Sequence, residues 1–96
     1  MLYLVHMQVE LPHTLNAADA DADALKAREK AYSQTLQHQG AWMYLWRVVG
    51  EYANFSVFDV PDHDSLHEVL SQLPLFPYMS LKVTPLAKHP SAIARG

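Results

Sequence analysis

Between residues 41 and 60, two runs of aromatic and β-branched side chains are separated only by Gly50-Glu51: Ala41 to Val49 (AWMYLWRVV) and Tyr52 to Val60 (YANFSVFDV). A link this short joins two strands as an antiparallel hairpin, and that hairpin constrains the rest of the fold. Counting by twos along the first run puts Trp42, Tyr44, Trp46 and Val48 on one face, and Ala41, Met43, Leu45 and Val49 on the other. Both faces are apolar. A layer of helices covers one of them, so the other calls for a second copy of the chain. Some of these aromatics lining a ligand pocket is the alternative, and the two are compatible.

The flanking segments supply the remaining elements. Met1 to Leu11, rich in Leu, Val, Tyr and Met and stopped by Pro12, predicts a first strand with Tyr3, Val5, Met7 and Val9 on one face and Leu4, His6 and Gln8 on the other. Ala17 to Gln39 is charged, Ala-rich and free of Gly and Pro, as a long helix requires. Asn16 suits its N-cap, Asp19, Asp21 and Asp23 suit the positive end of its dipole, and Gly40 sits where a C-terminal cap belongs. After Pro61, residues 62–70 predict a short helix with Leu66, Val69 and Leu70 as its apolar stripe. Leu73 to Tyr78 is a proline-broken apolar loop. Met79 to Leu86 is a last strand whose Pro85 suits an edge or a strand end. The order strand, helix, strand, strand, helix, strand is the ferredoxin-like βαββαβ arrangement of the α+β class, a four-stranded antiparallel sheet with two helices on one face. Residues 1–96 are expected to form one domain, with a core over 1–86 and a C-terminal arm over 87–96.

Composition narrows the function. A chain of 96 residues, 50% hydrophobic, is globular, but a domain this small buries only about 60–65% of its unfolded surface. Self-association is expected on that ground too. There is no cysteine, which removes disulfides, thiolate nucleophiles and cysteine-based zinc sites together. The formal charge is −3 and no Lys/Arg-rich run occurs, so the usual footprint of nucleic-acid binding is missing. No segment approaches the roughly 20 apolar residues that cross a bilayer, and Met1 to Met7 lacks the marks of a signal peptide. A cytoplasmic protein with no membrane partner is the expectation. Phosphate-loop and dinucleotide fingerprints are absent, and three glycines are too few for either.

Glu29 carries the strongest chemical signal. Leu25, Tyr32 and Leu36 mark the core stripe of the long helix, and offsets of 4, 7 and 11 from Leu25 land on Glu29, Tyr32 and Leu36. Burial disfavours the charged form of a carboxyl group, raises its pKa and makes it a better base near neutral pH. The plain alternative is a glutamate at the stripe's edge, reaching solvent or a lysine. Arg47 stands among Leu45, Trp46, Val48 and Val49 and needs an anion, either an acidic side chain or a ligand carboxylate. Tyr52 and Asn54 share a face of the third strand and could present a phenol and an amide to a polar group. His63 and His67 are spaced i,i+4, but Asp62, Asp64 and Glu68 around them describe a solvated face. His6, His13, His38 and His89 show no ligand spacing, and no metal site is expected. No nucleophile-elbow motif is present.

Several of these segments carry a family resemblance. Val9-Glu10-Leu11-Pro12, residues 25–30 (LKAREK), 45–50 (LWRVVG), Tyr52-Ala53-Asn54, 56–60 (SVFDV), 73–79 (LPLFPYM) and 89–93 (HPSAI) resemble the muconolactone Δ-isomerases, collinearly and along almost the whole chain. The resemblance implies a ferredoxin-like fold, a ring-built homodecamer, no cofactor or metal, and a small lactone as substrate. It implies a step of the β-ketoadipate branch of aromatic catabolism, from muconolactone to 3-oxoadipate enol-lactone. Glu29 falls on the family's active-site glutamate, and Tyr52 and Asn54 on pocket residues. Lys26 and Arg47 are the expected partners of the substrate carboxylate, an expectation beyond what the resemblance implies. A sister branch, the chloromuconolactone dehalogenases, is similar in glutamate, tyrosine and asparagine, so 5-chloromuconolactone dehalogenation is the first alternative. A non-catalytic, ligand-binding dimeric α+β barrel is the second.

Overall fold

The computed structural model describes residues 1–12 and 20–94. Strand β1 (Leu2–Val9), helix α1 (Ala20–His38), strands β2 (Trp42–Arg47) and β3 (Ala53–Asp59), helix α2 (His63–Ser71), a short 3-10 turn (Phe76–Tyr78) and strand β4 (Met79–Leu86) follow in chain order. The strands pair antiparallel in the order β2-β3-β1-β4, the ferredoxin-like topology expected from the sequence. The expected cap at Asn16, the first turn before Ala20 and Asp19 lie outside the described residues.

Strand β1 occupies the middle of the sheet and behaves as its alternation predicts. Tyr3, Val5, Met7 and Val9 are buried under the helices, with Val5 and Met7 fully so. Tyr3, Val5 and Met7 join Leu36 of α1, Leu66 and Leu70 of α2, and Trp42 and Phe58 of the hairpin in one core, while Val9 packs with Leu25 and Leu75 in a second, smaller cluster. The Trp42 and Phe58 rings meet at 4.7 Å between centroids, tilted by 33°. Aromatic pairs at such separations add about 0.5–1.5 kcal/mol beyond their buried area. Gly40 follows two residues after the end of helix α1, and its φ of +83° is a conformation side chains resist. Helix α2 starts one residue later than expected because Asp62 is its cap, accepting from the Ser65 N–H at 2.7 Å. Strand β4 lies at the edge of the sheet, where Pro85 deletes a ladder donor at little cost. The loop expected over residues 73–78 contains the 3-10 turn. No described helix is long and apolar enough to cross a membrane.

Strand β2 departs from simple alternation. Its register against β3 shifts between Trp42, opposite Phe58, and Tyr44, opposite Val57, so Met43 is an extra residue, a β-bulge. Trp42 therefore enters the core at 3% exposure, while Tyr44 and Trp46 turn to the opposite face, 51% and 56% exposed. Leu45 and Arg47 point to the helix side instead. The expected grouping of Trp42 with Tyr44 and Trp46 is corrected: counting by twos fails across a bulge, which adds a residue without adding a face. The prediction that both faces carry apolar groups survives. Tyr44 and Trp46 stack at 5.1 Å and 6° on the face no helix covers, which also carries Phe55.

Candidate active site

On the helix side of the sheet, between α1 and strands β1, β2 and β3, lies a cleft of about 780 Å³. Glu29, Lys26, Arg47, Tyr52 and Asn54 all line it, with Met7, Val9 and Leu75 among its apolar walls. The five residues come from three separate segments, and the sheet's register unites them. Asn54 stands directly opposite Arg47 on β2 and Met7 on β1. Tyr52 precedes β3, and its carbonyl accepts from the Val9 N–H at 2.9 Å, so the pairing of β1 and β3 continues and holds Tyr52 on the face of Asn54.

Glu29 sits in the buried stripe of α1 that Ala22, Leu25, Ser33 and Leu36 define, and is itself partly buried. Its Oε2 accepts from the backbone N–H of buried Leu75 at 3.2 Å. The neighbouring Phe76 and Tyr78 N–H groups are used within the 3-10 turn, on the carbonyls of Leu73 and Leu75. Burial raises the Glu29 pKa above its ordinary value, and the Leu75 hydrogen bond opposes that rise without cancelling it. The result is a carboxylate with one oxygen anchored, in surroundings that make it hungry for a proton. Of the two expectations for Glu29, the core-side position is the one found.

Four of the side chains that share the cleft can donate: Lys26, Arg47, Tyr52 and Asn54. Tyr52 remains 48% exposed, yet lost solvation raises its phenol pKa, with the Glu29 charge adding to the rise and Arg47 opposing it. The phenol therefore stays protonated at neutral pH and can donate. Lys26 places its Nζ 5.6 Å from the centre of the Tyr52 ring, within cation–π range. Among the described residues no carboxylate lies within 4.0 Å of Lys26 or Arg47. Of the two expectations for Arg47, an internal ion pair is thus not found among these residues.

Two contributors are invisible to residue-type reasoning. The Leu75 N–H is a backbone group, and only the folded loop aims it at Glu29. Ser56, two residues from Asn54 on the same face, donates its hydroxyl to Asn54 Oδ1 at 2.7 Å. The i,i+2 spacing of two polar residues in an apolar strand is the one signal that could have found it. The histidines have other company: His63 Nδ1 hydrogen-bonds the Tyr3 hydroxyl, and His67 meets Phe76 edge-on at 6.5 Å. Among the described residues no three His, Asp or Glu side chains converge on a point that could hold a metal ion.

A half-buried carboxylate sharing one cleft with a phenol, an amide and two cations defines a ferredoxin-like protein equipped for acid–base chemistry on a small molecule. Residues 1–92 match the family model described as muconolactone delta-isomerase. The chain is 68% identical over 93 residues to the muconolactone Delta-isomerase of Cupriavidus pinatubonensis, covering 97% of this chain and 99% of that one. It is 47% identical over 93 residues to that of Pseudomonas aeruginosa, covering 97% and 95%. A crystal structure of muconolactone isomerase superposes with a TM-score of 0.91 at 51% identity, covering 100% of this chain and 98% of that one. The chain belongs to the muconolactone delta-isomerase family.

Proposed function

We propose that this chain isomerises muconolactone to 3-oxoadipate enol-lactone, with Glu29 acting first as base and then as acid. The observation that carries this reading is the desolvated Glu29 carboxylate lining the same cleft as Lys26, Arg47, Tyr52 and Asn54. The proton to be moved sits on the ring carbon between the ring oxygen and a double bond conjugated to the lactone carbonyl. Glu29 takes it, the C–H electrons spread through the ring, and the carbonyl oxygen gains charge as a dienolate forms. Glu29 then returns a proton to the carbon beside the carbonyl, and the double bond has moved by one position. No electrons are gained or lost, so the route calls for no redox cofactor. Asn54 and Tyr52 stabilise the developing oxyanion by hydrogen bonds. Lys26 and Arg47 supply positive charge for the substrate's side-chain carboxylate. Both ring carbons lie on one small ring, which lets a single carboxylate serve both transfers.

The stacked Tyr44 and Trp46, with Phe55 on the same uncovered face, support assembly into a ring-type homo-oligomer, a decamer by the family resemblance. In that reading residues 1–96 act as one domain, its terminal arm from residue 87 included, and the enzyme works in the cytoplasm, as suits a catabolic step. The test is spectrophotometric turnover of muconolactone by the natural protein and by Glu29→Gln, with deuterium entry into product followed in D₂O. Turnover that drops by about 10²–10⁴-fold in Glu29→Gln, with assembly intact, is the expected result. Chloride release from 5-chloromuconolactone without muconolactone turnover would move the chain to the dehalogenase branch. Tight lactone binding without any turnover would make it a binding protein.

A further inference from the structure

We propose that Ser56 is a positioning residue that locks the Asn54 carboxamide with its N–H groups toward the cleft, so that Asn54 serves only as a donor. Ser56 is fully buried at 0% exposure. Its register partners are Leu45 on β2 and the fully buried Val5 on β1, neither of which offers a side-chain acceptor. Among the described residues the Ser56 hydroxyl makes one hydrogen bond, donating to Asn54 Oδ1 at 2.7 Å. Turning the amide over would set an NH₂ group against the Ser56 oxygen and strand the buried hydroxyl proton. It would also aim the amide carbonyl into the cleft, where it would repel a negatively charged oxygen. The hydroxyl thus does what its position cannot do directly: it decides which end of Asn54 a ligand meets. The ligand chemistry selected is an oxygen that carries or gains negative charge, and the reverse orientation would select a donor instead.

The kinetic consequence rests on the proposed isomerase reaction; the lock itself does not. The chain has two asparagines, Asn16 and Asn54, so selective ¹⁵N-asparagine labelling gives two side-chain amide pairs to follow by NMR. In the natural protein the Asn54 pair should show slow hydrogen exchange and a fixed orientation. In Ser56→Ala the pair should exchange faster and shift, while the Asn16 pair does not. With muconolactone, Ser56→Ala should lower kcat by about tenfold with KM nearly unchanged, and Ser56→Cys, which keeps a weak donor of similar size, should lie between. In an Asn54→Ala background, Ser56→Ala should have no further effect on kcat. An equal loss in both backgrounds would make Ser56 a merely structural residue, and an unaltered Asn54 amide in Ser56→Ala would overturn the lock. If the natural protein does not turn over muconolactone, the isomerase reading fails while the amide measurement still decides the lock.

Discussion

Replacing Glu29 separates the function of its charge from the function of its shape. Glu29→Gln keeps the size of the side chain and an oxygen that can accept from the Leu75 N–H, a bond made at 3.2 Å in the natural protein. Glu29→Ala leaves that N–H, on a residue 4% exposed, without its acceptor. An unpaired buried donor costs about 1–3 kcal/mol, and the better helix propensity of alanine returns only about 0.3 kcal/mol. Relief from holding a charge in a desolvated place is common to both variants. The Gln variant should therefore exceed the Ala variant by about 1–2.5 kcal/mol in urea unfolding, or roughly 4–8 °C in Tm per kcal/mol for a chain of this size. Against the natural protein, pH supplies the sign. Burial raises the folded-state pKa of Glu29 above its ordinary value of 4.5, so the folded chain holds that proton more tightly than the unfolded one. The stability this confers is complete below the unfolded value and is lost as pH rises through the raised folded value. The amide introduced by Glu29→Gln has no such proton to lose. The stability difference of Glu29→Gln over the natural protein should grow from acidic pH upward and level off above the folded pKa, measured at fixed protein concentration because the chain is expected to assemble. A Gln variant less stable than the natural protein at neutral pH, with no change in the gap on acidification, would refute the claim that Glu29 is held in a desolvating site. Equal stability of the Gln and Ala variants would refute the role of the Leu75 hydrogen bond.

Two further outcomes test the scaffold. Gly50 adopts φ +82° in the hairpin turn, with open space where a Cβ would stand, so Gly50→Ala should cost about 1–2 kcal/mol in urea unfolding from backbone strain alone; no loss would show that the turn adapts. Trp46→Glu, on the uncovered face, should dissociate the assembly in analytical ultracentrifugation while leaving the far-UV spectrum of the chain unchanged; an intact oligomer would exclude this face as its interface.

The parts of the fold legible in the sequence are those written in regular periods. Tyr3, Val5, Met7 and Val9 alternate cleanly because β1 is paired on both sides and covered on one face, and the burial follows residue by residue. The stripe of α1 identifies Glu29 because a carboxylate among leucines and a tyrosine stands out against a period of 3.6. Tyr52 and Asn54 are legible for the same reason on a period of two. Strand β2 defeats the count because a bulge is a local insertion with no composition of its own; Met43 looks like any other strand residue. The Leu75 N–H is hidden because every residue but proline carries the same backbone donor, and only the 3-10 turn that engages Phe76 and Tyr78 leaves it free to serve Glu29. The union of α1, β2 and β3 around one cleft is a property of strand order, which no segment encodes by itself.

The bulge at Met43 frees the strand from a single alternation. Without it, a run of six strand residues would have to satisfy a single alternating division, and the heavy aromatics at 42, 44 and 46 would all compete for one side. The extra residue divides the strand into a part answerable to the chain's own interior and a part answerable to whatever lies against its back. Tyr44 and Trp46 are left on the uncovered face, while Trp42 stays in the core and shares the cleft wall with Leu45 and Arg47. One inserted residue thus lets a short strand serve the core, the cleft and the uncovered face at once.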